Sequence, residues 1–175
     1  EGVQREEGPV EEVGGDELRQ SAGGLSEVWD GLEERLTLDL DTLGGIAVLL
    51  SSLVSRTSDA MLPLAPLKRH DEYSFIHTIN VAILSTALAE SLGLNPQVVH
   101  EINVAALLHD VGKQLVPSEV LNKNGRLDDE ERKILEEHPA DGARILLNTP
   151  RAPDLSVVVA FEHHIRANGG GYPPV

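Results

Sequence analysis

From Leu25 the apolar residues recur at three- and four-residue steps, Leu25, Val28, Trp29, Leu32 and Leu36, the signature of a helix with one buried face. A second helical run covers roughly Leu40 to Leu62. Pro63 and Pro66 close it, because proline lacks the N–H that a helix interior needs. Tyr73 to Leu92 reads as one long helix stopped at Gly93, a residue type suited to the position just past a helix end. Gln97 to Val111 makes another, with Gly112 behind it. Asp128 and Glu131 form a capping-box-like pair that opens the stretch DDEERKILEEH. Ala140 to Leu147 and Leu155 to His164 follow. Within the last of these, Val157, Val158 and Val159 favour a strand by propensity, but no alternation of useful length accompanies them. The pattern predicts an all-α domain without internal repeats.

Ahead of Leu25 the pattern is missing. The segment EGVQREEGPVEEVGGDELRQSAGG carries seven acids, two arginines, glycine pairs and almost no large apolar residue, a composition expected to stay disordered. The organisation expected is therefore an acidic tail over 1–24, an N-terminal helical segment over 25–67 and the main domain over 68–175. The two helices of the middle segment either dock a partner or pack on the core, and packing is the simpler reading.

Composition narrows the chemistry. Only 3% of the 175 residues are aromatic and 41% are hydrophobic, so the core must be built from Leu, Val, Ala and Ile. The absence of cysteine excludes disulfides and thiolate metal sites. A formal charge of -15 argues against nucleic acid or an anionic membrane as the main partner. The longest apolar run, Leu43 to Val54, falls short of the roughly 20 residues of a membrane span, and no export signal is visible. The chain starts at Glu1 and ends amid loop signals, so it reads as a piece of a longer one.

An acidic surface that handles phosphates needs a local reversal of field, and a metal cluster provides one. His109, Asp110 and Lys113 stand at one helix end within a turn of each other. Imidazole and carboxylate are ligands for Zn, Fe, Mn and similar ions, and a carboxylate can bridge two of them. His138 precedes Pro139, His163 and His164 are adjacent, and His77 lies on the long helix among Ile76, Ile79 and Val81. Singly, His77 reads as a core histidine and His138 as a favourable cation at a helix C-terminus.

Together, HDEYSFIHTINVA (70–82), AALLHDVGK (105–113), VPSEVLNKNGRLDDEE (116–131), HPADGARIL (138–146) and HHIRANGGGYP (163–173) resemble an HD-GYP domain. This is the branch of the HD phosphohydrolase superfamily that hydrolyses cyclic di-GMP in bacteria. The resemblance covers about Lys68 to Pro173 and implies an HD-type helical bundle. It also implies metal ligands at His77, His109, Asp110, His138, His163 and His164. Asp110 matches the bridging carboxylate and Lys113 a phosphate clamp, so these two carry catalysis, while His70 and His100 are left as surface residues. The implied cofactor is a binuclear centre of Fe or Mn, which would bind the phosphate and activate water.

Gly171, Tyr172 and Pro173 match the loop through which the family binds substrate and contacts diguanylate cyclases (GGDEF proteins). Cyclic di-GMP and such a cyclase are the partners implied, and the cytoplasm the location. There are departures. Ile165 stands where the family has Glu, Asn168 where it has Asp, and the family's further aspartate ligand would lie beyond Val175. Tyr73 replaces the acid of three-metal members, so at most two metals are expected. The alternative to an active phosphodiesterase is a degenerate module that binds nucleotide or cyclase without turnover. A mononucleotide-cleaving HD enzyme would share His109, Asp110 and Lys113 but leaves His163, His164 and the Gly-Tyr-Pro run unexplained.

Overall fold

The structure, a computed structural model, describes residues 15–35, 38–56 and 73–174. Among the described residues eight α-helices run in the order α1 (Gly15–Arg35), α2 (Leu40–Arg56), α3 (Tyr73–Ser91), α4 (Pro96–Leu108), α5 (Ser118–Leu121), α6 (Asp129–Glu136), α7 (His138–Leu147) and α8 (Asp154–Glu162). A 3-10 helix, Val111–Leu115, joins α4 to α5. Among the described residues there is no strand, only an isolated antiparallel bridge between Ile165 and Gly171. The all-α expectation holds.

Helix α1 begins earlier than the apolar pattern implies. Residues 15–24, expected to be disordered, are its first turns; residues 1–14 lie outside the described residues. The reason is a stripe that composition hides. Leu18, Ser21, Leu25 and Val28 fall on one buried face, and a small serine continues an apolar stripe without registering as apolar. Burial of Leu25 and its neighbours, about 1.5–3 kcal/mol per large aliphatic side chain, outweighs the roughly 1 kcal/mol that each helical glycine costs.

In α2 the buried positions are Leu43, Ile46, Ala47, Leu50, Leu53 and Val54, the spacing of a one-faced helix. The helix ends at Arg56, and the stretch expected to extend it to Leu62, with its two prolines, lies outside the described residues. Leu25, Leu43, Leu50, Leu53, Ile79, Ile83, Leu107, Leu108 and Leu146 belong to a single buried cluster. Thus α1 and α2 share one core with α3, α4 and α7. No helix of the described residues is long and apolar enough to cross a membrane.

A polar bond crosses this core. Asn103 of α4 is fully buried, and its Nδ2 donates to the Ala47 carbonyl and to Ser51 Oγ of α2, each at 3.2 Å. It sets the register of α4 against α2, two turns before the chain reaches His109. Replacing Asn103 by Ala is expected to cost about 1–3 kcal/mol. The check is a lower urea midpoint at unchanged slope, and an unshifted midpoint would contradict it.

Two boundaries depart from expectation, and both shape the site. Helix α4 stops at Leu108 rather than Val111, so His109 and Asp110 occupy a turn. Helices α6 and α7 abut, and His138 therefore opens α7, with Pro139 in its first turn, instead of ending α6. Residues Val157–Val159 are helical within α8, as expected for Leu155 to His164; Val157 packs against the core, and strand propensity does not prevail. The capping box is as expected: the Asp128 carboxylate accepts from the Glu130 and Glu131 amides at 3.0 and 2.9 Å, and Glu131 Oε2 accepts from the Asp128 amide at 2.8 Å. Gly93 ends α3 with φ 68°, its amide bonded to the Glu90 carbonyl and that of Leu94 to Ala89, the pairing of a Schellman stop.

Candidate metal centre

Three helix ends aim histidines at one point. The last carbonyls of a helix have no partner within it, and here three of them accept from imidazoles. His109 Nδ1 lies 2.7 Å from the Ala106 carbonyl behind α4. His138 Nδ1 lies 2.6 Å from Leu135 at the end of α6, and His163 Nδ1 lies 3.0 Å from Ala160 at the end of α8. A carbonyl can only accept, so Nδ1 carries the proton in each ring and Nε2 is left with its lone pair turned inward.

The inward atoms meet at Asp110. Its Oδ2 lies 3.2 Å from His109 Nε2, and its Oδ1 lies 3.3 Å from His138 Nε2 and 3.5 Å from His163 Nε2. His138 and His163 bring their Nε2 atoms within 3.2 Å of each other. Asp110 is buried, and its Oδ1 has no hydrogen-bond donor. Lone pairs facing a carboxylate and each other repel unless a cation sits among them.

Burial alone would raise the Asp110 carboxyl, but its interactions with His109, His138 and His163 win and hold it far below the usual carboxylate range. A metal ion among the same nitrogens would act with the same sign. Burial, with His163 and His138 adding, pushes His164 down to about 4. At neutral pH this ring is therefore unprotonated and able to ligate. Burial also lowers His77, followed by the effect of His109.

Two groups of donors, each with its ligating atoms within 4.8 Å of one another, share the carboxylate: Asp110, His138, His163 and His164 in one, His77, His109 and Asp110 in the other. All six residues named from the sequence come together. The donor set suits a borderline or harder divalent ion, being nitrogen and oxygen without thiolate. Two donors about 2.1 Å from one ion stand about 3.0–3.4 Å apart at ordinary coordination angles. The spacing of the His138 and His163 nitrogens falls within that range.

Lys113, one turn beyond Asp110, puts its ammonium 2.6 Å from Oδ2. Gly112 between them is required by packing. A Cβ there would stand 1.9 Å from the His138 carbonyl oxygen and 2.5 Å from the Gly142 amide nitrogen. Without a side chain at 112, the 3-10 helix lies directly on α7, and Asp110 reaches His138.

Tyr172 stacks on His164, with ring centroids 4.4 Å apart and planes 22° from parallel. Pro173 is half-buried beside it, and Gly171 is exposed. Of the two histidines expected at the surface, His100 is half-buried on α4, away from these groups, and His70 lies outside the described residues. Sequence reasoning missed the backbone anchors Ala106, Leu135 and Ala160. The signal for them was a histidine directly behind a helix end, three residues past the carbonyl that holds it.

Residues 38–174 match the family model of the HD domain. This chain belongs to the HD-domain family. Over 124 residues, 71% of its length, it is 44% identical to a cyclic di-GMP phosphodiesterase of Pseudomonas aeruginosa. It is 39% identical over 87 residues, 49% of its length, to a cyclic di-GMP phosphodiesterase response regulator of Xanthomonas campestris pv. campestris. To a 3'3'-cGAMP-specific phosphodiesterase of Vibrio cholerae it is 34% identical over 116 residues, 66% of its length. The matches span 30%, 23% and 27% of those relatives. This similarity agrees with the HD-GYP resemblance of the five sequence motifs.

Proposed function

We propose that this HD domain hydrolyses a phosphodiester bond of a cyclic dinucleotide, with cyclic di-GMP the first candidate, at a binuclear centre held by His77, His109, Asp110, His138, His163 and His164. The observation that carries the reading is the convergence of inward Nε2 atoms on a buried carboxylate oxygen without a donor. Similarity to phosphodiesterases of cyclic di-GMP and of 3'3'-cGAMP supports the substrate class. Fe or Mn fits the donors. When bound, such ions lower the pKa of water and neutralise phosphate charge.

The chain's own part is to hold and to orient. The three Nδ1–H bonds fix ring direction and tautomer, so every ligating lone pair stands ready without reorganisation. Asp110 serves both donor groups and is the bridge between them. Lys113 brings a fixed positive charge to the edge of the cluster, where a phosphate oxygen replaces the Asp110 oxygen as its partner. The exposed residues 166–171 are the surface that a diguanylate cyclase would meet. A cyclic dinucleotide substrate implies a cytoplasmic site of action.

Loss of the two family carboxylates leaves the loop closed. Asn168 Oδ1 accepts from the Gly170 amide at 3.1 Å, and the backbone of Ile165 bridges Gly171. The deciding experiment is elemental analysis together with cyclic di-GMP turnover in the presence of Mn(II) or Fe(II). Bound metal with turnover supports the proposal. Bound metal and bound nucleotide without turnover would instead make the domain a binding module. Lys113→Ala is expected to keep its metal and raise the KM for cyclic di-GMP about 10–100-fold, as loss of a charge-assisted bond does. Unaltered affinity would remove Lys113 from the mechanism.

A further inference from the structure

The loop after α8 has a structural reason of its own. His109, His138 and His163 are each oriented by an Nδ1–H bond to a helix-end carbonyl, but His164 follows His163 past the end of α8, and its ring makes no such bond among those described. Its ring meets those of His163, tilted by 47° at 4.2 Å, and His138, edge-on at 5.1 Å, but only Tyr172 stacks on it nearly parallel, at 4.4 Å. Tyr172 also meets His138 edge-on at 6.0 Å. The backbone between these residues is built to bring the tyrosine back.

Ile165 and Gly171 form the antiparallel bridge. The Arg166 amide donates to the Gly170 carbonyl at 2.9 Å, and the Tyr172 amide to that of His164 at 3.4 Å. Gly171 has φ 91°, and a Cβ on it would stand 2.1 Å from the His164 carbonyl oxygen. Only glycine permits both the left-handed turn and this approach. Residues 165–171 are a reversal that sets one ring on another.

We infer that Tyr172 is a positioning residue for the metal centre: its ring holds His164 in the ligating orientation that hydrogen bonds give His109, His138 and His163. This rests on the metal-site reading above. An aromatic face restricts imidazole rotation while leaving both nitrogens free of a competing bond. The work is done by the ring and not by the hydroxyl, which makes a sharp demand on substitutions.

The test is titration of the metal-free chain with Co(II), followed by calorimetry and by the visible spectrum of the bound ion. Tyr172→Phe should bind within about twofold of the parent. Tyr172→Ala should bind about 10–100-fold more weakly, the range for losing a group that orients a ligand, with a changed spectrum. In a His164→Ala background the same Tyr172→Ala change should cost nothing further, because the two residues act as one unit.

Equal affinity of Tyr172→Ala and the parent overturns the inference, as does a loss of the same size when His164 is already gone. A parent chain that fails to bind Co(II) at all sinks the metal-site reading and this inference with it, a result distinct from either. Far-ultraviolet dichroism checks that each variant is folded, and Tyr172→Leu repeats the test should the alanine variant not fold.

Discussion

Asp110→Ala is expected to empty the metal centre, with less than about a tenth of the parent's metal retained under conditions that saturate the parent, and to abolish phosphodiester hydrolysis. The carboxylate is the one donor common to both groups. It is also the sole negative charge within reach of the three inward nitrogens among the contacts described. Loss of a residue that merely orients a ligand costs about 10–100-fold in metal affinity, so a shared ligand should cost more. Asp110→Asn, which keeps the shape and one acceptor oxygen but not the charge, should fall between the two. Elemental analysis after dialysis reads the result, and full occupancy in Asp110→Ala would refute the site.

Gly112→Ala is expected to lower stability by about 3 kcal/mol or more, at the upper end of what overpacking costs. The added Cβ meets backbone on α7, namely the His138 carbonyl oxygen at 1.9 Å and the Gly142 nitrogen at 2.5 Å. No side chain can rotate away. The 3-10 helix and α7 must part, and since the contact is with His138 itself, the distance from Asp110 to His138 opens too. Metal affinity should therefore fall in whatever fraction remains folded. Gly44→Ala is the control, because in α2 an added Cβ meets nothing within 4 Å, and it should stabilise by about 0.5–1 kcal/mol through helix propensity. A thermal midpoint in Gly112→Ala equal to the parent's would contradict this account.

Helix existence was legible in the sequence because it depends on local spacing. Leu43, Ile46, Leu50 and Leu53 recur at intervals that only a helix turns to one side, and the Asp128–Glu131 pair announces its own cap. Helix ends were less legible. The stop of α4 at Leu108 and the direct succession of α6 and α7 depend on a contact between Gly112 and α7, segments about 30 residues apart in sequence, which no local window contains. The helicity of residues 15–24 was hidden for a similar reason. It depends on a face of Leu18 and Ser21 that is apolar only when packed on the core.

The candidate site divides in the same way. By itself the sequence determined which side chains can ligate: histidines and an aspartate with no cysteine, in five motifs whose order matches a family of metal-dependent phosphodiesterases. Tertiary structure alone decided which atoms face inward. Nε2 rather than Nδ1 points at Asp110 because Ala106, Leu135 and Ala160 present carbonyls at helix ends, and His164 meets Tyr172 because a glycine reversal returns the chain to it. Donor identity is a property of the residue, whereas donor direction is a property of the backbone that surrounds it.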